Sequence, residues 1–284
     1  MNSFRFDNQA SVAERHPHLF RPDWWQRVKI TAGFAAVVGL FIFGIVQLDI
    51  PFHRLSDGMS RLGGFLRLMV PPDPGSLSQA VIYLHALGET VAIAFLGTLG
   101  GALLALPVAL LAARNVVANR VVHILSRRSL DTIRGIDTLI WALIWVGIVG
   151  LGPFAGILAL VCSDFGSFGK LFSEAIEAAD KKPGEGVLAA GGNHLHGVRF
   201  GVLPQVIPIL LSQVLYYFES NTRSATIIGI VGAGGIGLQL AEQIRVLEWQ
   251  RVSFLILLIL ITVSTIDWIS GKLRFAIIGR REIA

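Results

Sequence analysis

Six apolar runs, at 30–48, 90–112, 138–149, 154–171, 202–218 and 252–269, constrain this chain before any motif does. A helix needs about 20 apolar residues to cross roughly 30 Å of hydrocarbon, and most of the runs approach that length. Hydrophobic residues make up 53% of the chain and charged residues 15%, with a mean hydropathy of +0.65; soluble domains carry about 25% charged residues. The expected class is all-α: a polytopic membrane protein with about six transmembrane helices. The third run is short and is joined to the fourth only by Gly150-Leu151-Gly152-Pro153, so a tight helical hairpin is expected there.

Basic residues give an orientation, because Lys and Arg are retained on the cytoplasmic side. With both termini cytoplasmic, 18 of the 24 fall inside. These are Arg5, Arg15, Arg21, Arg27 and Lys29, then Arg114, Arg120, Arg127, Arg128 and Arg134, then Lys170, Lys181, Lys182 and Arg199, and finally Lys272, Arg274, Arg280 and Arg281. Outside remain Arg54, Arg61, Arg67, Arg223, Arg245 and Arg251. The net charge of +5 then reflects topology and contact with anionic membrane lipid; no nucleic-acid partner is expected.

The chain divides into a cytoplasmic N-terminal segment (1–29), a first span with an outer amphipathic segment (30–80), a core (81–270) and a cytoplasmic tail (271–284). Trp24-Trp25 is suited to the headgroup level. The first apolar run exceeds a signal-peptide core and lacks a small-x-small cleavage site, so it reads as a retained span. Leu55, Met59, Leu62, Phe65, Leu66 and Met69 form an amphipathic piece expected to lie along the outer face. Cys162, the single cysteine, cannot make an intrachain disulfide.

A polar island, 173–200, interrupts the core on its cytoplasmic side. Pro183 suits the first turn of a helix and Glu185 puts negative charge at that helix's positive end. A helix over 185–190 is stopped by Gly191-Gly192, and Asn193 is a good N-cap for a second piece, 194–200. The result is a compact elbow that a soluble partner could hold in a groove. His194 and His196 are two apart and point to different faces, unlike paired metal ligands; no metal site and no catalytic group is expected.

Glu185-Gly186-Val187, three residues, Gly191, nine residues and Gly201-Val202-Leu203-Pro204 resemble the cytoplasmic loop motif of binding-protein-dependent ABC importer permeases. Glu185, Gly191, Leu203 and Pro204 match; Gly186 and Val187 replace two alanines, and Gly201 replaces an isoleucine. LFSEAIEA, GVLPQVIP, FESNTRSATIIGIVGAGGIG and the LLAARN of 110–115 are similar to phosphonate-type permeases. The resemblance implies a MetI-like permease fold in a bacterial inner membrane. It also implies coupling to an ATPase through Glu185, Gly191, Gly192, Asn193, Leu203 and Pro204. The implied partners are an ABC ATPase dimer, an extracytoplasmic solute-binding protein and a second copy of the chain. The implied cargo is phosphonate, phosphite or hypophosphite, moved by alternating access.

Gly232-Ala233-Gly234-Gly235-Ile236-Gly237 fits the dinucleotide-binding glycine pattern, but the 47 residues that follow leave no room for the rest of a nucleotide-binding sheet. The glycines instead suit a re-entrant turn or a close helix approach. Lys170 and Lys272 follow glycines without the Ser or Thr of a phosphate-cradling loop. No cofactor is expected on this chain; ATP and Mg belong to the partner ATPase.

Gln205, Ser212, Tyr216, Glu219, Ser220 and Arg223, with Asn221 beside them, recur at helical spacing on the fifth span. They line a translocation pathway or pack against other helices; both readings stand. Glu219 and Arg223 have the spacing of a helical ion pair, and Arg223 could also offer a weak positive field to an oxyanion. Glu89 with His85, and Asp164, are buried acids with either a functional or an interhelical role. A stand-alone secondary transporter or channel coupled through Glu89, Asp164 or Glu219 is the competing reading, and an ABC permease for another small solute is a third.

Overall fold

The computed structural model describes residues 24–48, 52–117 and 119–279. The parts of the N-terminal segment and tail at 1–23 and 280–284, with Arg5, Arg15, Arg21, Arg280 and Arg281, lie outside the described residues. Among the described residues there are helices and no strands. Two units are distinguished, Met1–Phe65 and Leu66–Ala284.

The first unit holds α1 (Trp24–Gln47) and most of α2 (Phe52–Leu68). At 1.5 Å per residue the 24 residues of α1 extend about 36 Å, enough to cross a bilayer, and none of them is buried. In α2, Met59, Leu62, Phe65 and Leu66 are exposed, as an amphipathic helix with a bare apolar stripe requires.

The second unit contains α3 (Leu77–Ala112), α4 (Arg120–Arg134), α5 (Thr138–Val149), α6 (Pro153–Glu177), α7 (Lys181–Ala189), a single turn α8 (His194–His196), a π-helical stretch (Gly197–Val202), α9 (Leu203–Ile230), α10 (Ile236–Arg245) and α11 (Trp249–Ile278). Across the described residues five helices are long and apolar enough to span a membrane. They become six if the bent pair α4 and α5, at 84° to each other, is counted as one span. Alone, the 12 residues of α5 reach only about 18 Å. Along α6 the pair is complementary: α5 packs on its first half through Thr138 Oγ1 and Ser163 Oγ, 2.8 Å apart, and α4 on its second half through Lys170 Nζ and Asp131 Oδ1 at 2.6 Å. The expected α5–α6 hairpin is present, with α6 starting at Pro153.

Small residues let the helices meet closely. A Cβ on Gly97 would lie 2.5 Å from the Leu160 Cβ, and one on Gly101 would lie 2.6 Å from the Asp164 Cβ. So α3 and α6 touch nearly backbone to backbone, the contact that membrane helices use where apolar burial gives no advantage over lipid. Around it, Ala102, Ala105, Ala109, Phe168, Phe172, Ile176, Val206 and Leu210 form one core cluster, and Ile93, Ala94, Ala142, Ala159, Leu160, Ala225, Ile228 and Ala233 another.

The loop after α3 is pinned to the end of α6. The Arg114 backbone N–H donates to Glu177 Oε1 at 2.9 Å, Asn115 Nδ2 to the Ile176 carbonyl at 2.7 Å, and Arg127 of α4 pairs with the Glu177 carboxylate at 3.2 Å. This puts 113–117 and the elbow that follows α6 at one end of the bundle. At the opposite end, Ser253 Oγ donates to the Met69 carbonyl at 2.6 Å and the Asp73 N–H to the Gln250 carbonyl at 3.2 Å.

Gly97→Val should wedge α3 from α6 at a cost of about 1–3 kcal/mol. A lowered thermal unfolding midpoint of the purified protein in detergent is the expected readout; an unchanged midpoint would show that the close contact has no structural weight.

Candidate functional site

The elbow forms on the signals in its sequence, with shifted bounds. Its first helix, α7, begins at Lys181, four residues before the expected start, because Asp180 is the N-cap and its Oδ1 accepts the Lys182 N–H at 3.1 Å. Gly191 then takes φ +89°, a conformation open to glycine, and breaks the helix where expected. Asn193 caps the next turn: its Oδ1 accepts the His196 N–H at 2.9 Å, and its own N–H donates to His196 Nδ1 at 3.4 Å. His196 thus closes a capping box. The second piece is a single turn that runs through the π-helical stretch into α9, where Leu203 and Pro204 are the first residues.

The departure from the family motif at Gly201 has a structural reason. A Cβ there would lie 2.6 Å from the Gly184 backbone nitrogen and Cα, so α7 rests directly on the π-helical stretch. An isoleucine would force them apart. Gln205 locks the same junction, accepting the Asp180 N–H at 3.1 Å and donating to the Asp180 carbonyl at 3.0 Å and the Gly201 carbonyl at 2.6 Å. The Gln205 side chain therefore belongs to the elbow. Glu185, Gly191 and Asn193 are exposed, and so are the apolar side chains Leu188, Leu195 and Phe200. Exposed apolar side chains on one short segment are the kind of surface that a partner covers.

The polar row on α9 splits into two groups. Asn221 is buried: its Nδ2 donates to Thr98 Oγ1 at 2.8 Å and to Asp164 Oδ2, joining α3, α6 and α9. Asp164 is thereby engaged as an interhelical acceptor. Glu219, also buried, accepts from Arg223 Nη2 on one carboxylate oxygen and from Arg274 Nη2 on the other, both at 3.0 Å. The Arg223 side chain is 53% exposed, and Tyr216 is exposed nearby with the Arg274 guanidinium 5.8 Å from its ring centre. Ser212 and Ser220 are half-buried.

The triad joins two arginines that the charge reading places far apart. Arg223 was expected outside and Arg274 in the cytoplasmic tail, yet both bind one carboxylate. Helix length accounts for it: α9 continues to Ile230 before turning and α11 continues to Ile278, so both arginines are carried on long helices that reach each other.

The glycine-rich turn joins α9 to α10, and α3 caps it. Gly235 and Ile236, at the start of α10, have no cap from their own segment; the Gly235 N–H donates to Glu89 Oε2 at 3.2 Å and the Ile236 N–H to Thr90 Oγ1 at 2.7 Å. The Gly232 carbonyl accepts the Gly152 N–H at 2.9 Å, which ties in the α5–α6 hairpin. Thr90 lies 13 residues into α3, or about 20 Å from that helix's start, so the turn is held well along that helix. Glu89 is a capping residue here. Thr90 was missed by the sequence reading, because a hydroxyl inside an apolar helix has no local signature of a cap given to another helix.

Residues 105–274 match the family described as binding-protein-dependent transport system inner membrane component. Two relatives from Stutzerimonas stutzeri are similar over most of their length. HtxC, a permease protein named for phosphite transport, is 38% identical over 90% of each chain. The phosphite transport system permease protein PtxC is 35% identical over 96% of this chain and 98% of its own. Among solved structures, the inward-facing MetNI methionine ABC transporter has the same fold, with a TM-score of 0.63 at 21% identity over 71% of this chain and 99% of that one.

Gly201→Ile, which restores the motif residue, should weaken the elbow by about 1–3 kcal/mol through overpacking against Gly184. Faster limited proteolysis at Gly191-Gly192 would report it, and unchanged cleavage would mean that the close packing is dispensable.

Proposed function

This chain belongs to the family of binding-protein-dependent transport system inner membrane components, and on that premise we propose that it is the permease of an ATP-driven importer for phosphite, hypophosphite or a phosphonate. The family is one of transport permeases and not of enzymes. The observation that carries the cargo class is the near-full-length similarity to two permeases named for phosphite transport.

The working assembly is two copies of the chain, an ABC ATPase dimer on the cytoplasmic side and a solute-binding protein on the other, with both termini cytoplasmic. ATP and Mg act in the ATPase. The elbow, 173–200, is the point of contact: α7, α8 and the π-helical stretch offer Leu188, Leu195 and Phe200 to a groove, and Glu185, Gly191, Gly192, Asn193, Leu203 and Pro204 set its shape. Gln205 and the Gly201–Gly184 contact make that shape rigid, which favours transmission of a push into α9. The π-helical stretch is the joint between elbow and span. Along α9, Tyr216, Glu219 and Arg223, with Ser212 and Ser220, are the pathway face; Asn221 holds that face to α3 and α6.

A stand-alone ion-coupled transporter would need Glu89, Asp164 or Glu219 available for protons or cations. Each is instead engaged by a neighbour: Gly235, Asn221 and the two arginines. This favours the importer reading.

Leu195→Asp, at a residue 74% exposed, should leave the membrane protein folded but abolish its co-purification with the ATPase. Gly191→Pro should leave ATP hydrolysis running while uptake into vesicles falls to the level seen without the ATPase. Coupled transport at the original rate in both variants would overturn the elbow's role.

A further inference from the structure

Two guanidinium groups share one carboxylate inside the helix bundle. Glu219 lies 11 residues before the end of α9 at Ile230, about 16 Å along the helix from the glycine turn. Its side chain is 8% exposed, Arg274 on α11 is 27% exposed and Arg223 is 53% exposed. The three groups sum to a single positive charge. A charged side chain in a membrane helix normally faces a bundle interior or an aqueous path. Arg223 has the open side of the triad.

We propose that Arg223, Glu219 and Arg274 form a transient oxyanion site on the translocation pathway, in which Glu219 is a built-in competitor for the cargo. The proposal rests on the importer reading and adds where and how the cargo is held. A guanidinium carries five N–H donors in a planar fork that fits carboxylates and phosphorus oxyanions alike. In the structure Arg223 gives Nη2 to Glu219 Oε1, at a half-exposed position from which the same fork can turn to an arriving oxyanion. Arg274 binds the other oxygen, Oε2, so Glu219 keeps a cationic partner when Arg223 turns away. The buried carboxylate is never left unpaired, a state that would be strongly destabilising. Once the cargo departs, Glu219 recaptures Arg223. Affinity is thereby held low, which a pathway requires, because tightly bound cargo would not leave. Tyr216, exposed beside Arg274, completes the wall on that side.

The triad predicts opposite signs for two neighbouring substitutions. Glu219→Gln removes the competitor and frees both arginines, so phosphite should bind more tightly, by about tenfold for a change of roughly 1.4 kcal/mol, while vesicle uptake slows at release. Arg223→Gln should weaken phosphite binding and uptake together, and Arg223→Lys, which keeps the charge without the fork, should fall between the original protein and Arg223→Gln. Binding would be measured by titration calorimetry on the full chain in lipid nanodiscs, with phosphite and methylphosphonate as probes and chloride as control. Uptake would be measured in vesicles holding the chain with its ATPase and binding protein. A purely structural triad would lower stability in both variants and never tighten binding. If Glu219→Gln does not assemble, the Arg223 pair decides: equal binding in Arg223→Gln, Arg223→Lys and the original protein overturns the site. Phosphite uptake by the original chain with all variants binding phosphite alike would remove this site and leave the importer reading intact. Failure of the original complex to import any phosphorus oxyanion would instead remove the cargo reading, and this site's ligand with it.

Discussion

Asn221 donates from one nitrogen to Thr98 and Asp164, and that shared contact is where α3, α6 and α9 are held together. A typical hydrogen bond contributes about 0.5–1.5 kcal/mol net, and a buried polar group left without a partner costs about 1–3 kcal/mol. Gly101 is the reason it can form, since its missing side chain leaves Asp164 close against α3. The two apolar core clusters lie on either side of this polar point, one toward the elbow and one toward the glycine turn.

The same requirement, that polar backbone inside an apolar bundle find a protein partner, explains both interruptions of α9. At one end the first N–H groups of α10 are capped by Glu89 and Thr90 from α3. At the other, the π-helical stretch meets α7 with glycine on each side, and Gln205 bonds both the loop and the stretch. Irregular backbone is kept where neighbouring chain segments satisfy it.

Between those two fixed ends, α9 carries the Glu219 triad on a half-exposed face. The exposed elbow, its junction and this charged face follow one another along the run from His194 to Ile230. The bent α4–α5 pair braces α6 along its length.

Apolar run length alone determined the membrane class, the long helices and the α5–α6 hairpin, since each is a local consequence of hydrophobicity and of Gly and Pro. The elbow was legible for the same reason: Gly191 and Asn193 act on their immediate neighbours. What the sequence could not assign were partners across helices. Gln205 and Asn221 share the polar spacing of Glu219, yet one fastens the elbow and the other the core. Arg274 read as tail until α11 brought it to Glu219, 55 residues away in sequence. Periodicity states which face of a helix a residue occupies; only tertiary packing decides what that face meets, because burial and pairing depend on segments far apart in the chain.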